Sequence, residues 1–175
     1  CMDALKFDFK TLCKKDQKLR LIGNLPYNIS TPLMFHFLDY SEIMGDLHIM
    51  LQKEVADRVC AQPNTKTFGR LSVAIQARSQ IKKLFEIKPN SFYPRPKVTP
   101  TLIRLIPNGK LEDNLANQLN CLLQLAFSKR RKKVSNALKT LFELRDFQRL
   151  SIDPEKRPEN LTVDDYINLS RNIPD

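Results

Sequence analysis

Apolar and polar residues alternate along this chain with a period that changes several times, and each change marks an element. Leu19, Leu21 and Ile22 form a short apolar strand that stops at Gly23, leaving Asn24, Leu25, Pro26 and Tyr27 just past its carboxyl end. The apolar run Leu33 to Leu38 predicts a buried helix over about 31–40, with Ser30 or Thr31 as its cap and Pro32 in its first turn. Leu47, Ile49 and Leu51 alternate with His48 and Met50, the period of a strand over 45–51. Val55 and Val59 lie four apart in a helix over 53–61, and a further helix is expected over 70–80. Strands follow over 81–87 and 98–106, joined by a proline-rich loop over 88–97 as an antiparallel edge. The start, 3–9, reads as a strand end and loop, with a short helix around Thr11.

After Pro107-Asn108-Gly109 the pattern turns wholly helical. Leu115, Leu119, Leu122, Leu123 and Ala126 mark one helix, Val134, Leu138, Leu141 and Phe142 a second, and Thr162 caps a last one through Tyr166 and Leu169. Strands alternating with helices, then helices alone, predict an α/β domain over 1–107 followed by a small all-α domain over 108–175.

Charge narrows the partners. The 175 residues carry 29 Lys and Arg against 19 Asp and Glu, a net of +10, which points to a polyanion such as nucleic acid. Residues 1–109 hold 17 cations against 9 acids, while 110–175 hold 12 against 10, so the helical part is basic only through its run of five, Lys129-Arg130-Arg131-Lys132-Lys133. Such a run is a solvated helix start unless other features also point to phosphate. No apolar stretch approaches a bilayer span and no signal peptide opens the chain, so a cytoplasmic location is expected. Cys1, Cys13, Cys60 and Cys121 are too scattered for a zinc site or a disulfide framework, and His36 and His48, inside apolar runs, read as satisfied structural residues rather than metal ligands. Gly23, Gly45, Gly69 and Gly109 are the only glycines, and they form no glycine-rich nucleotide loop.

The chemistry-bearing stretch is the turn after the first strand. In open α/β sheets ligands bind beyond the carboxyl ends of the strands. Pro26 fixes its own φ and restricts Leu25, so the Asn24 side-chain oxygen, a backbone carbonyl near Pro26 and the Tyr27 ring can face one small volume. Two acceptors beside an aromatic face suit a planar base with an exocyclic amine. Holding both N–H groups out of the ring plane favours a tetrahedral, nucleophilic nitrogen. The alternative is a plain tight turn with Tyr27 packing. Lys66 and Phe68 in the loop over 62–69 could touch substrate, and the prolines of the loop over 88–97 suit the presentation of Phe92 or Tyr93 at a fixed spot. Asp3 either accepts a hydrogen bond from a cofactor or merely caps a turn.

Taken together, Asp3-Ala4-Leu5, Gly23 through Pro32, Met50 through Val55, Gly69 through Val73, Phe92 through Val98, Ala126-Phe127 with Arg130-Arg131-Lys132, Ile152-Asp153-Pro154 and Arg157 through Leu161 give a series that closely resembles the KsgA-type small-subunit ribosomal RNA adenine N6,N6-dimethyltransferases. The resemblance spans essentially the whole chain. It implies a Rossmann-like methyltransferase domain, without its first strands, and a helical RNA-recognition domain over 108–175. It further implies S-adenosylmethionine as methyl donor without a metal, and as product two adjacent dimethylated adenosines in a hairpin near the 3′ end of small-subunit rRNA. The implied partner is the immature small ribosomal subunit, engaged by a monomer. Asn24, Leu25, Pro26 and Tyr27 become the catalytic turn, Phe92 the ring on the other face of the base, and Asp3 and Asn24 the cofactor contacts. Arg70, Arg95, Lys97 and the run Lys129 to Lys133 become RNA contacts. Two other readings stay open: a non-catalytic ribosome-assembly factor that grips rRNA, and a related enzyme of large-subunit rRNA or DNA. The helical tail and Asn-Leu-Pro-Tyr, in place of an acidic Asp-Pro-Pro-Tyr form, favour the small-subunit dimethyltransferase over the large-subunit or DNA enzyme. The family's glycine-rich loop and acidic ribose-binding residue lie upstream of Asp3, so the sequence is expected to be the latter part of something longer.

Overall fold

The computed structural model describes residues 2–14, 17–129 and 131–174, which divide into two compact units. The first comprises residues up to Cys60 together with Arg78–Lys110, and the second comprises Ala61–Ala77 together with the chain from Leu111 onward.

The first unit is built on four strands: β1 (Leu19–Asn24), β2 (Met44–Gln52), β3 (Ser79–Glu86) and β4 (Pro100–Pro107), in the spatial order β1-β2-β4-β3. β1 runs parallel to β2, while β4 is antiparallel to both β2 and β3. Helices α1 (Ser30–Asp39) and α2 (Lys53–Val59) pack on this sheet. Leu47, Ile49 and Leu51 of β2 and Ile103 and Leu105 of β4 are wholly buried, and Leu33, Met34, Phe37 and Leu38 of α1 and Ala56 and Val59 of α2, the helices that cover the sheet, are buried too. Each such aliphatic side chain contributes about 1.5–3 kcal/mol by leaving water. Because strand side chains alternate, this packing sends Arg20, Ile22 and Asn24 of β1, with their cross-strand partners Asp46, His48 and Met50, to the opposite face.

On that face Asp46 is buried and clamped by two arginines. Arg20 Nε donates to its Oδ1 at 2.7 Å, and Arg104 Nη2 and Nε donate to its Oδ2 at 2.8 and 3.1 Å. Desolvation pushes the carboxyl up, but the hydrogen bonds from Arg20 and Arg104 outweigh it and hold the group below its ordinary value. A second ionic network joins Lys53, Asp57, Lys83 and Glu86. Lys83 Nζ lies 2.8 Å from both Asp57 and Glu86, and the hydrogen bonds from Lys53 and Lys83 bring the Glu86 carboxyl down to about 2. His36 is satisfied as expected, its Nε2 lying 3.0 Å from the Phe7 carbonyl oxygen. His48 is not: its buried Nδ1 has no hydrogen-bond partner and stands 3.9 Å from Asp46.

The second unit centres on α4 (Asp113–Ser128), whose Leu119, Leu122, Leu123 and Ala126 are buried. Around it pack α3 (Arg70–Gln76), α5 (Val134–Ala137) and α7 (Val163–Arg171), with α6 (Leu144–Arg149) completing the unit. Thr162 caps α7 as expected, its hydroxyl accepting from Asp165 N at 3.1 Å. Tyr166 is fully buried and donates its hydroxyl to the Pro158 carbonyl at 2.8 Å. The loop before α3 is tied down within the unit: Asn64 N donates to the Glu159 carbonyl and Asn160 Nδ2 to Asn64 Oδ1, both at 2.8 Å.

Several boundaries differ from expectation. Residues 61–77 belong to the helical unit rather than to a continuous domain over 1–107, because Phe68, Val73 and Ile75 are wholly buried and α3 packs on α4 and α7. The helix expected over 70–80 ends at Gln76, since Ser79 already pairs with Pro107 in the sheet. The helix expected from Val134 to Phe142 is one turn long, after which Leu138 and Phe142 reach the core through a turn closed by Phe142 N to Leu138 O at 3.0 Å. Ser30 does not cap α1; its hydroxyl donates to the Tyr27 carbonyl at 3.2 Å. The segment at 3–9 holds a short 3-10 turn, Ala4–Lys6, and Phe9 then stacks edge-on against Phe37 and Tyr40, with both centroid distances 5.4 Å. Among the described residues no helix is long and apolar enough to cross a membrane, and no group of three or more His, Cys, Asp or Glu could hold a metal ion.

Two outcomes test this packing. The depressed Asp46 value means its stabilisation is complete above the ordinary value of 3.8 and is lost as pH falls below it through the folded-state value; Asp46→Asn removes that part of the acid limb in a urea-unfolding series against pH. Tyr166→Phe removes the shorter of two hydrogen bonds to the Pro158 carbonyl, leaving it only Leu161 N at 3.4 Å, and costs about 0.5–1.5 kcal/mol in the same assay at neutral pH.

Candidate active site

The parallel pairing of β1 with β2 places Asn24 opposite Met50, and the next residue continues the attachment through Leu25 N, which donates to the Met50 carbonyl at 3.3 Å. Leu25 is 5% exposed, so its side chain pins the turn to the core while its neighbours Asn24, Pro26 and Tyr27 stay at the surface. The turn then closes on itself. The Pro26 carbonyl accepts from Ile29 N at 3.1 Å, the Tyr27 carbonyl accepts from Ser30 Oγ, and α1 begins.

That closure decides which acceptors remain. The Pro26 oxygen is used by the turn, so the backbone acceptor near Pro26 is the Leu25 carbonyl, which has no donor among the described residues. The Asn24 side chain is likewise exposed and without a partner there. Both residues line a cleft of about 390 Å³, together with Pro26 and Tyr27 of the turn, Phe92, Tyr93, Pro94 and Pro96 of the proline-rich loop, and Met50 and Pro100. The volume lies toward the low end of the roughly 300–1,000 Å³ typical of small-molecule sites, enough for one base.

Each element contributes for a local reason. Tyr27 follows the proline of the turn and is 41% exposed, its ring left open to a ligand. Phe92 leaves the 3-10 turn Pro89–Ser91 with φ −122° and ψ 147°, and is half-buried in the cleft wall. Met50 and Pro100 carried no signal as site residues. They enter because Asn24 pairs with Met50 and Gln52 with Pro100 across the sheet, information that resides in the register rather than in either residue type.

The other expected residues distribute as follows. Asp3 is exposed and caps the first turn, its Oδ1 accepting from Leu5 N at 3.0 Å; it does not line the cleft. Arg95 and Lys97 are exposed in the loop that supplies Phe92. Arg70 opens α3 in the helical unit, as an exposed residue. In the same unit Lys129, Arg131, Lys132 and Lys133 are exposed, with a turn closed by Lys132 N to Lys129 O at 2.8 Å, and Lys133 is paired with Glu155. Arg130 lies outside the described residues. Lys66 is exposed, whereas Phe68 is wholly buried and so is not the substrate-facing aromatic that its loop suggested. Burial pushes the Cys60 thiol up to about 11, which leaves it an inert structural thiol.

The family model for ribosomal RNA adenine dimethylase matches residues 2–175. The chain is 46% identical over 172 residues to the ribosomal RNA small subunit methyltransferase A of Nitrosococcus oceani, covering 97% of this chain and 65% of that relative. It superposes on the dimethyladenosine transferase from Plasmodium falciparum with a TM-score of 0.78 at 26% identity, over 96% of this chain and 69% of that one. The 23S rRNA methyltransferase ErmE shares the fold, with a TM-score of 0.66 at 17% identity, over 95% of this chain and 69% of that one. The chain thus spans slightly less than two thirds of the length of the curated relatives it matches. A match over residues 2–175, together with the fold it shares with those structures, makes this chain a member of the ribosomal RNA adenine dimethylase family.

Proposed function

We propose that the protein is an S-adenosylmethionine-dependent methyltransferase that dimethylates N6 of two adjacent adenosines in the 3′-terminal hairpin of small-subunit rRNA. The observation that carries this reading is the pair of unpartnered acceptors, Asn24 Oδ1 and the Leu25 carbonyl, opening onto a cleft between Tyr27 and Phe92. An adenine stacked between those rings presents its amine to both oxygens. The two N–H bonds they accept turn the nitrogen lone pair out of conjugation, an arrangement that strengthens as positive charge develops on N6. Stacking adds about 1–3 kcal/mol per base and holds the flipped adenosine against its return to the helix. Met50, in the lining of the cleft, keeps it apolar and limits competing water.

The chain's own residues fit the donor at two points. Asp3 uses one carboxylate oxygen for Leu5 N and keeps the other for an amine N–H, and the Asn24 amide can also donate to a carboxylate. When bound, S-adenosylmethionine supplies an electrophilic methyl carbon whose bond to sulfur breaks with the pair leaving on sulfur. Asn24 and Leu25 orient the N6 lone pair for that in-line displacement, and the proton then lost from N6 passes to water.

The rest of the chain supports binding of a long RNA. Arg95 and Lys97 stand in the cleft loop, while Arg70 and the exposed Lys129, Arg131, Lys132 and Lys133 place cations on the helical unit, with Arg130 in the same run. An immature small subunit, engaged by a protein monomer in the cytoplasm, is the partner this charge suits.

Asn24→Ala separates structure from chemistry. Because the side chain is exposed and unpartnered, unfolding free energy changes by less than about 0.5 kcal/mol, while transfer of labelled methyl groups to immature small subunits falls by about 10²–10³-fold. Full transfer by the variant would refute the role of the turn.

A further inference from the structure

We infer that Tyr93 is a second stacking platform, which holds the base next to the one gripped by the Asn24–Tyr27 turn on the same RNA strand; the inference rests on the reading given under Proposed function. Seven large apolar side chains are exposed among the described residues, and of these only Tyr27 and Tyr93 line the cleft. Tyr93 is the extreme case, with a relative exposure of 102%. A ring of this size left wholly in water forgoes the burial that aromatic side chains ordinarily gain. A phenol is also suited to stack on any base, because every base has a π-face.

Its position is held rather than incidental. Pro89, Pro94 and Pro96 restrict the loop, and the 3-10 turn Pro89–Ser91 anchors the segment just ahead of Phe92. The backbone at Phe92 is extended, and along extended chain successive side chains project to opposite sides. Phe92 is accordingly half-buried in the cleft wall while the Tyr93 ring stands in solvent at the rim. A base held between Tyr27 and Phe92 leaves its neighbour along the strand outside the cleft, where the Tyr93 ring is available.

Charge supports a nucleic-acid occupant. Lys88, Arg95 and Lys97 bracket the ring, all three are exposed, none has a carboxylate partner among the described residues, and the loop from Lys88 to Lys97 contains no acid. Phosphates on either side of a stacked base would meet those cations. The other exposed aromatic, Phe85, lies in β3 and is not part of the cleft.

The test places 2-aminopurine, in separate oligonucleotides, at the target adenosine and at each flanking position of an RNA hairpin whose loop carries two adjacent adenosines, and follows its fluorescence on titration with the 175-residue protein. The expected result is a stacking signal at one flanking position that disappears in Tyr93→Ala and persists in Tyr93→Phe, while the signal at the target position stays. Affinity for the hairpin falls on the order of tenfold in Tyr93→Ala, and thermal unfolding is unchanged because the ring touches nothing that unfolding would expose. A flanking signal indifferent to Tyr93→Ala, with the target signal intact, overturns the inference alone. Equal loss at all positions also overturns it, since that marks a loop-wide disturbance. A target signal that does not depend on Tyr27 refutes the base-binding cleft itself, and Tyr93's role with it.

Discussion

The pairing of β1 with β2 decides where the turn from Asn24 to Tyr27 sits. With Asn24 opposite Met50, every second residue of β1 faces away from α1 and α2, and the strand hands Leu25 inward at the point where its ladder ends. A slip of one residue would reverse all of this at once, driving Asn24 into the apolar layer and Leu25 into water. The packing of Leu47, Ile49 and Leu51 against the helices therefore does more than stabilise the unit. It sets the direction in which the Asn24 amide points.

Much of this could be read from residue order alone, and the reasons are local. The alternation in β2, the restriction of Leu25 by Pro26 and the Thr162 cap all act over a few residues, so pattern and propensity agree there with the final structure. Disagreement arises where distant partners decide. Arg78, Ser79 and Gln80 are compatible with continuing a helix, and only pairing with β4 makes Ser79 and Gln80 a strand. Val134 through Phe142 has helical spacing, yet Val134 N and Ser135 N donate to the Lys156 and Pro154 carbonyls, fixing the first turn of α5 to a later part of the chain. In the cleft the same division holds. Asn24, Tyr27 and Phe92 announce themselves by type and neighbours, whereas Met50 and Pro100 are present only because the sheet register brings them there.

The ionic arrangement shows how a strongly basic chain keeps its charge available. The interior carboxylate Asp46 is shared by two arginines, and Glu86 by two lysines, so several cations of the first unit are committed to the fold. Those in the loop beside the cleft are not. The division separates charges that hold the sheet together from charges left for a polyanion, a distinction that net charge alone conceals.

The Leu25 carbonyl has a consequence for how such a site can change over time. Its oxygen belongs to the main chain, so no codon change removes it, and its own side chain faces the core, where another aliphatic of similar volume would serve. On the function proposed above, half of the amine grip would be invisible to alanine scanning, and position 25 would be constrained only by its packing. Drift at position 25 would register as altered melting behaviour, while Asn24 alone would carry the genetic signature of the proposed two-jawed device.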